Sequence, residues 1–294
     1  MPPNEAVMKA VIPAAGLGTR LLSATKEQPK EMLPLFSSGD DHVLGLKPIV
    51  QQIFEQLFDF GIREFYFIVG REKRAIEDHF TPDLEFIRRL DSGKKSSEGF
   101  QLKRFYQRIQ AASIVWVNQP QPKGFGDAIL LAEHLVGNTA FLVHAGDTCI
   151  LSKRSTILRR LTEVYEKSGG VTTLTLQEVE DPRRFGVAQV RESRGSIVTV
   201  KRVVEKPSRP RSKLAIMALY VFNPTIFDAL HATRPGKGGE IQLTDAIQKL
   251  IDDGNKVQAM KLSRADLRHW IDIGNPEDYW QALTLSYRYA SRRT

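Results

Sequence analysis

Gly16-Leu17-Gly18-Thr19-Arg20 follows a short apolar run, Met8-Lys9-Ala10-Val11-Ile12-Pro13, that ends in proline. Two glycines this close let the backbone approach a ligand, and exposed N–H groups in such a loop wrap phosphate oxygens. Arg20 adds a planar, permanently charged fork suited to phosphate. The loop is not a dinucleotide fingerprint, because no third glycine follows at the required spacing. It is not a P-loop either, because Gly-Lys-Ser/Thr is absent. Taken alone, it reads equally well as a tight turn carrying a surface arginine. Lys30 sits between Pro29 and Pro34 and brings a second cation toward the same loop, as a polyphosphate requires. By itself it would be a solvated lysine.

The elements that must hold these residues follow from apolar periodicity and from glycine and proline punctuation. Met8–Pro13 predicts a buried strand, and the two prolines predict an extended segment from Pro29 to Pro34. Lys47-Pro48 opens a helix whose Ile49, Ile53, Phe54, Leu57 and Phe58 share a face, and Gly61 ends it. Phe65–Val69 predicts a second strand, followed by a charged helical stretch to about Leu90 and a polar break from Asp91 to Ser97. Ile114–Val117 and Ala140–Val143 predict two more strands, with a turn-rich loop from Asn118 to Phe125 and a helix through Leu135 between them. This alternation predicts an α/β protein with a mainly parallel sheet. After Gly170, closely spaced strand signals (Val171–Leu176, Val187–Val190, Ile197–Val204, Ile216–Phe222) predict antiparallel additions. Helices over about Gly239–Asp253 and Pro276–Tyr289 close the chain. No internal repeat or long linker divides it. One domain over 1–294 is expected, with halves at 8–150 and 151–294.

Hydrophobic residues at 41% and charged residues at 26% of the 294 exclude collagen-like and disordered classes. The net charge of +8 invites nucleic acid as a partner. The basic residues are scattered among acidic ones, though, and no helix-turn-helix or aromatic-basic RNA motif stands out, so no nucleic-acid partner is expected. A mildly basic surface also suits polyphosphate substrates. The single cysteine, Cys149, excludes a disulfide framework and a cysteine-based zinc site, and reads as a small core residue. No apolar run reaches membrane-spanning length and no signal-peptide layout opens the chain, so a cytoplasmic protein without a membrane partner is expected.

Lys9-Ala10-Val11-Ile12-Pro13-Ala14-Ala15-Gly16-Leu17-Gly18-Thr19-Arg20, then Ala24-Thr25-Lys26 and Pro29-Lys30-Glu31-Met32-Leu33-Pro34-Leu35, resemble the bacterial and archaeal UTP–glucose-1-phosphate uridylyltransferase family. The resemblance continues in order through Gln119 with Lys123-Gly124-Phe125-Gly126-Asp127-Ala128, Gly146-Asp147, Phe185-Gly186-Val187 and Val204-Glu205-Lys206-Pro207. It ends with Gly239-Glu240-Ile241-Gln242-Leu243-Thr244-Asp245-Ala246-Ile247 and Trp270-Ile271-Asp272-Ile273-Gly274. Any one of these could be chance; the ordered set covers nearly the whole chain.

The resemblance implies a Rossmann-like nucleotidyltransferase fold, a mixed sheet flanked by helices, and transfer of UMP from UTP to glucose 1-phosphate. It implies that Ala15, Gly16, Gly18, Thr19 and Arg20 cradle the triphosphate and that Lys30 neutralises charge around the reacting phosphorus. Gln119 is implied to meet the pyrimidine edge and Gly124 to leave room for the base. Gly186, Glu205 and Lys206 are implied to hold the sugar phosphate, and Asp147 and Asp272 to bind Mg²⁺. It also implies a homo-oligomer, in keeping with the aromatic last helix bearing Trp280, Tyr287 and Tyr289. The chemistry agrees. A phosphate nucleophile is already anionic, so no side chain has to remove a proton, and cations carry the catalysis.

Plainer readings stand beside these. Asp147 could be a turn former, His144 a core histidine, and Glu205-Lys206-Pro207 a surface turn. Gly239–Leu243 could simply start an amphipathic helix. Phe36 to Lys47 is an insertion rich in Ser, Gly and Asp, expected as a mobile surface loop or an oligomer contact. The Trp270–Gly274 run is more similar to the thymidylyltransferase branch, which keeps dTTP as an alternative to UTP, with a broad-specificity enzyme as a further one. A non-catalytic sugar-nucleotide-binding regulator is the alternative from another class, and the presence of Arg20, Lys30, Asp147 and Asp272 weighs against it. A nucleotide-dependent oxidoreductase rests on the glycine loop alone.

Overall fold

Lys9–Pro13 forms the strand that its apolar run predicts, with Ala10, Val11 and Ile12 fully buried. In the computed structural model, residues 7–38, 43–91, 96–151, 155–169, 171–191 and 195–291 are described. The strands in chain order are β1 (Lys9–Pro13), β2 (Pro34–Ser38), β3 (Leu44–Pro48), β4 (Glu64–Gly70), β5 (Ser113–Gln119), β6 (Phe141–His144) and β7 (Thr148–Ile150). They continue as β8 (Thr172–Glu178), β9 (Gly186–Val190), β10 (Ile197–Glu205), β11 (Leu214–Phe222), β12 (Val257–Lys261) and β13 (Trp270–Asp272).

One sheet runs β5-β4-β1-β6-β11-β8-β12-β10-β9. Its first four strands are parallel, as the alternation of strand and helix predicts. β11 then pairs antiparallel with both β6 and β8, and β10 pairs antiparallel with β12 and β9. The antiparallel additions therefore fall in the second half of the chain, where the strand signals crowd together. Period-two alternation gives the sheet two apolar faces. Ala10, Ile12, Phe65 and Phe67 enter one core with the helix Ile49–Phe60. Val11, Tyr66 and Ile68 enter the other with the helix Leu243–Asp252. The helix Ile49–Phe60 ends at Gly61, whose φ of 124° suits glycine and whose N–H donates to the Leu57 carbonyl at 3.1 Å.

Four local expectations are revised. Pro29–Pro34 is not extended throughout, because Lys30–Met32 makes a 3-10 turn closed by the Met32 N–H on the Pro29 carbonyl at 2.9 Å. Leu33, directly before Pro34, does stay extended, as the pre-proline clash requires. The helix expected from Gly239 starts at Leu243, because Gly238 and Gly239 take left-handed backbone angles and Glu240 is extended. A helix over Ser96–Gln110 lies partly within the expected polar break and was not anticipated by the strand-and-helix pattern. The insertion forms the β2–β3 hairpin with Pro34 opposite Pro48, its residues 39–42 lying outside the described ones. The hairpin packs on the last helix, where the Phe36 N–H donates to Ser286 Oγ at 3.2 Å and its ring meets Tyr287 edge-on.

Candidate active site

The loop after β1 bounds a cleft of about 360 Å³. Ala15, Gly16, Gly18, Thr19, Arg20, Lys30, Gln119, Gly124 and Asp147 all line it, so sequence-distant candidates converge on one space. This is where an open α/β sheet leaves room for a ligand, beyond the carboxyl ends of its strands. Gly18 takes φ of 64°, a left-handed conformation that lets the loop turn. The Leu21 N–H then donates to the Gly18 carbonyl at 2.9 Å and opens a short 3-10 turn. Gly16, Thr19 and Arg20 remain exposed.

Lys30 reaches the cleft from the 3-10 turn, its Nζ 3.7 Å from where a Cβ on Gly16 would stand. The same ammonium donates to Asp147 Oδ2. Burial works against the Lys30 charge, but Asp147, Glu31 and Asp272 outweigh it and raise its pKa above the ordinary lysine value. Lys30 therefore stays charged in the cleft.

Asp147 is held by backbone contacts on both sides. The Gly146 N–H donates to the Pro13 carbonyl at 3.0 Å, and the Ile273 N–H donates to the Asp147 carbonyl at 3.2 Å. β7 and β13 pair antiparallel with Asp272 opposite Thr148, so the two aspartates are neighbours across a separate two-stranded ribbon rather than at the edge of the main sheet. Asp272 keeps an exposed edge although protein surrounds most of it. Burial, and then the Asp147 charge, push its carboxyl up to about 7, while Lys30 and Arg20 pull it back. Among the described residues no group of three His, Cys, Asp or Glu side chains could hold a metal. A pair of hard carboxylates is what Mg²⁺ uses when phosphate oxygens and water complete its octahedron. The mutual repulsion of Asp147 and Asp272 is what a cation would relieve, so the residues present fit such an ion.

Behind Lys30 lies a pair that the sequence pattern did not single out. Glu31 is 1% exposed and Lys73 7%, and Lys73 Nζ donates to Glu31 Oε2 at 2.9 Å. Burial raises the Glu31 pKa, with Lys73 and then Lys30 opposing the rise. Glu31 is part of the Lys30–Leu33 motif, so the motif was its signal. Lys73 sits in a run of charged residues with no spacing that sets it apart.

Gly186, Glu205 and Lys206 do not line this cleft. They form a second group, with Gly186 of β9 opposite Glu205 of β10. Thr244 Oγ1 donates to Glu205 Oε2 at 2.7 Å, and Lys206 Nζ lies 3.0 Å from Glu205 Oε1. A Cβ on Gly186 would fall 2.7 Å from Thr244 Oγ1, so the close approach requires glycine. Lys206 takes φ of 40°, a left-handed conformation unusual for a side chain of this size. Gly124 does line the cleft, but its own packing already demands glycine: a Cβ there would stand 2.8 Å from the Ile241 carbonyl oxygen. His144 is a fully buried core residue, with Nδ1 2.9 Å from the Ala145 carbonyl, and burial lowers its pKa to about 4. Burial also pushes the Cys149 thiol up to about 12, leaving it an inert core residue. Among the described residues no helix is long and apolar enough to cross a membrane.

Known proteins resemble the chain over most of its length. The chain is 42% identical over 253 residues to the UTP–glucose-1-phosphate uridylyltransferase YngB of Bacillus subtilis, covering 84% of this chain and 80% of that protein. A solved UDP-glucose pyrophosphorylase complexed with UDP-glucose superposes with a TM-score of 0.80 at 32% identity, covering 96% of this chain and 99% of the other. A UTP-bound enzyme of the same kind from Acinetobacter baumannii gives a TM-score of 0.78 at 28% identity, covering 95% and 92% of the two chains. The nucleotidyl transferase family model matches residues 9–287, a span that takes in the glycine loop, Lys30 and both aspartates. The chain belongs to the nucleotidyl transferase family.

Proposed function

We propose that the protein is a UTP–glucose-1-phosphate uridylyltransferase, transferring UMP from UTP to glucose 1-phosphate and releasing pyrophosphate. An oxygen of the sugar phosphate attacks the α-phosphorus, a bond to that phosphorus forms, and the bond to the pyrophosphate oxygen breaks. The observation that carries the reading is the Lys30 ammonium, held on Asp147 beside Asp272 and the glycine loop. Two anions must approach, and a fixed cation at their meeting point lowers the barrier. The names of the similar proteins supply the nucleotide and the sugar.

In this reading Ala15, Gly16, Gly18 and Thr19 wrap the triphosphate with backbone N–H groups, and Arg20 closes on its oxygens. Gln119 meets the pyrimidine edge and Gly124 flanks the base. Glu205 accepts from sugar hydroxyls, with Lys206 on the sugar phosphate and Gly186 leaving room for it. Asp147 and Asp272 would hold Mg²⁺, which when bound supplies positive charge to the phosphate oxygens. Residues 8–150 then form the nucleotide half of a single domain and 151–294 the sugar-phosphate half. We also place the enzyme in the cytoplasm as a homo-oligomer; Trp280, 70% exposed on the last helix, supports a covered face.

Pyrophosphate release over a grid of UTP, dTTP, CTP and ATP against several sugar 1-phosphates tests the reading. Release is expected with UTP and glucose 1-phosphate, lost in excess chelator and restored by Mg²⁺. dTTP belongs in the grid because Trp270–Gly274 is similar to the thymidylyltransferase branch. No release with any pair would overturn the reading.

A further inference from the structure

Gln119 ends β5, and its side chain is held from behind. Its Nε2 donates to Asp127 Oδ2 at 2.7 Å and to the Gly124 carbonyl at 3.2 Å. The residue is 5% exposed and lines the cleft. Asp127 lies in the first turn of the short helix Phe125–Leu130, and Gly124 is the residue that precedes that helix. A carboxylate and a carbonyl oxygen can only accept, so both amide hydrogens must point at them. Turning the amide over would set Oε1 against two oxygens and strand the NH₂ group. The atom that Gln119 has left for a ligand is therefore Oε1, an acceptor.

We propose that Asp127 is a positioning residue that fixes Gln119 as a hydrogen-bond acceptor and thereby selects nucleobases with a protonated ring nitrogen. The inference rests on the proposed reading of Gln119 as the residue at the base edge and deepens it. Uracil and thymine each present N3–H, which Oε1 accepts. Cytosine presents an unprotonated N3, so a lone pair would face a lone pair. A site built to accept from an N–H rejects the analogue that lacks it, because the buried acceptor is left unpaired. The Asp127 charge also polarises the amide toward a stronger Oε1 acceptor. The same geometry makes no distinction between UTP and dTTP at this edge, since the two bases share the O–NH–O pattern there. Any preference between them must come from contacts to the thymine methyl group or to the ribose 2′-hydroxyl.

Equilibrium binding of UTP, dTTP and CTP to the full chain, with no sugar phosphate present, tests the proposal. The wild type is expected to bind UTP at least tenfold more tightly than CTP. Asp127→Leu, which removes the acceptor at similar size, is expected to lower that ratio tenfold, with UTP weakened and CTP strengthened. Asp127→Asn can still offer an acceptor through its Oδ1 and is expected to keep the ratio within threefold of wild type. Equal weakening of UTP and CTP in Asp127→Leu, with the ratio unchanged, would assign Asp127 a structural role and overturn the proposal. So would loss of the ratio in Asp127→Asn, a readout that stands even if the leucine variant does not fold. Equal binding of UTP and CTP by the wild type would overturn this inference while leaving the nucleotide cleft standing. Failure of every nucleotide to bind would overturn both.

Discussion

The proposed triphosphate end and the proposed sugar end of the site are held by different means. Around Lys30 the charges interlock: Lys30 on Asp147, Asp272 beside them, and the buried Glu31–Lys73 pair behind. Around Glu205 there is one hydroxyl hydrogen bond from Thr244 and one ion pair with a lysine whose side chain is 47% exposed. The first arrangement fixes a cation in the cleft, which in the proposed reaction would lower the cost of bringing two anions together. The second leaves a carboxylate partly open to solvent, where in the proposed reading sugar hydroxyls would replace water. Damage at the first end should therefore appear in turnover and stability, and damage at the second in the affinity for one substrate.

The largest expected effect breaks the first end from behind. Lys73→Met leaves Glu31 buried without its partner, which should cost about 3–5 kcal/mol of stability. Chemical denaturation should show it, and Glu31→Gln combined with Lys73→Met should recover part of the loss. A wild-type midpoint for Lys73→Met would show that the pair does not anchor this end. Next, Lys30→Ala should lower kcat by about 2–4 kcal/mol of transition-state stabilisation with the fold retained. Turnover at the wild-type rate would remove Lys30 from the chemistry.

Acid should act on the same end in two opposite senses: the raised carboxyls of Asp272 and Glu31 favour the fold as pH falls, and His144 disfavours it. His144, at the end of β6, titrates near 4 when folded against an ordinary value of 6.5. The His144 contribution to stability is therefore full above pH 6.5. It is lost as pH falls toward 4, because only the unfolded chain takes up the proton. The total is about 3 kcal/mol, since one pKa unit is worth about 1.4 kcal/mol. His144→Asn can still donate to the Ala145 carbonyl and does not titrate, so between pH 6.5 and 4 its denaturation midpoint should fall by less, or rise by more, than that of the wild type. An unchanged slope would mean that other groups govern the acid limb. The smallest effect belongs to the sugar end. Glu205→Ala should raise the glucose 1-phosphate KM about tenfold, about 1.4 kcal/mol, and leave UTP affinity within twofold. Lost UTP affinity with an unchanged sugar-phosphate KM would merge the two ends into one.

How much of this was legible in the sequence also differs between elements. The parallel strands are readable as short apolar runs, and the helix Ile49–Phe60 as an apolar face at helical spacing bounded by Pro48 and Gly61. The helix Ser96–Gln110 carries the same signal, since Leu102, Phe105, Tyr106 and Ile109 fall at helical spacing and pack on the core, but its polar start among Ser96, Ser97 and Glu98 reads as part of the preceding break. Glycine spacing marks the loop after β1, since a tight turn needs particular residue types. Nothing local marks Lys73, and Asp127 stands in the Lys123–Ala128 motif with nothing to show its role: the chain must fold before Lys73 meets Glu31 and before Asp127 reaches Gln119. The extended Glu240–Gln242 segment is likewise a tertiary product, with the Ile241 N–H on the Lys123 carbonyl at 2.7 Å and its carbonyl taken by the Gly126 N–H at 3.0 Å.

The central claim is that this cleft joins a nucleotide's α-phosphate to a sugar phosphate. The most direct measurement incubates the protein with glucose 1-phosphate, Mg²⁺ and UTP labelled at the α-phosphorus, and follows where the label goes. The account predicts label in UDP-glucose, one unlabelled pyrophosphate released for each, and neither product from Lys30→Ala at the wild-type rate. Label recovered as UMP or UDP in place of the sugar nucleotide, or remaining in UTP, would contradict it.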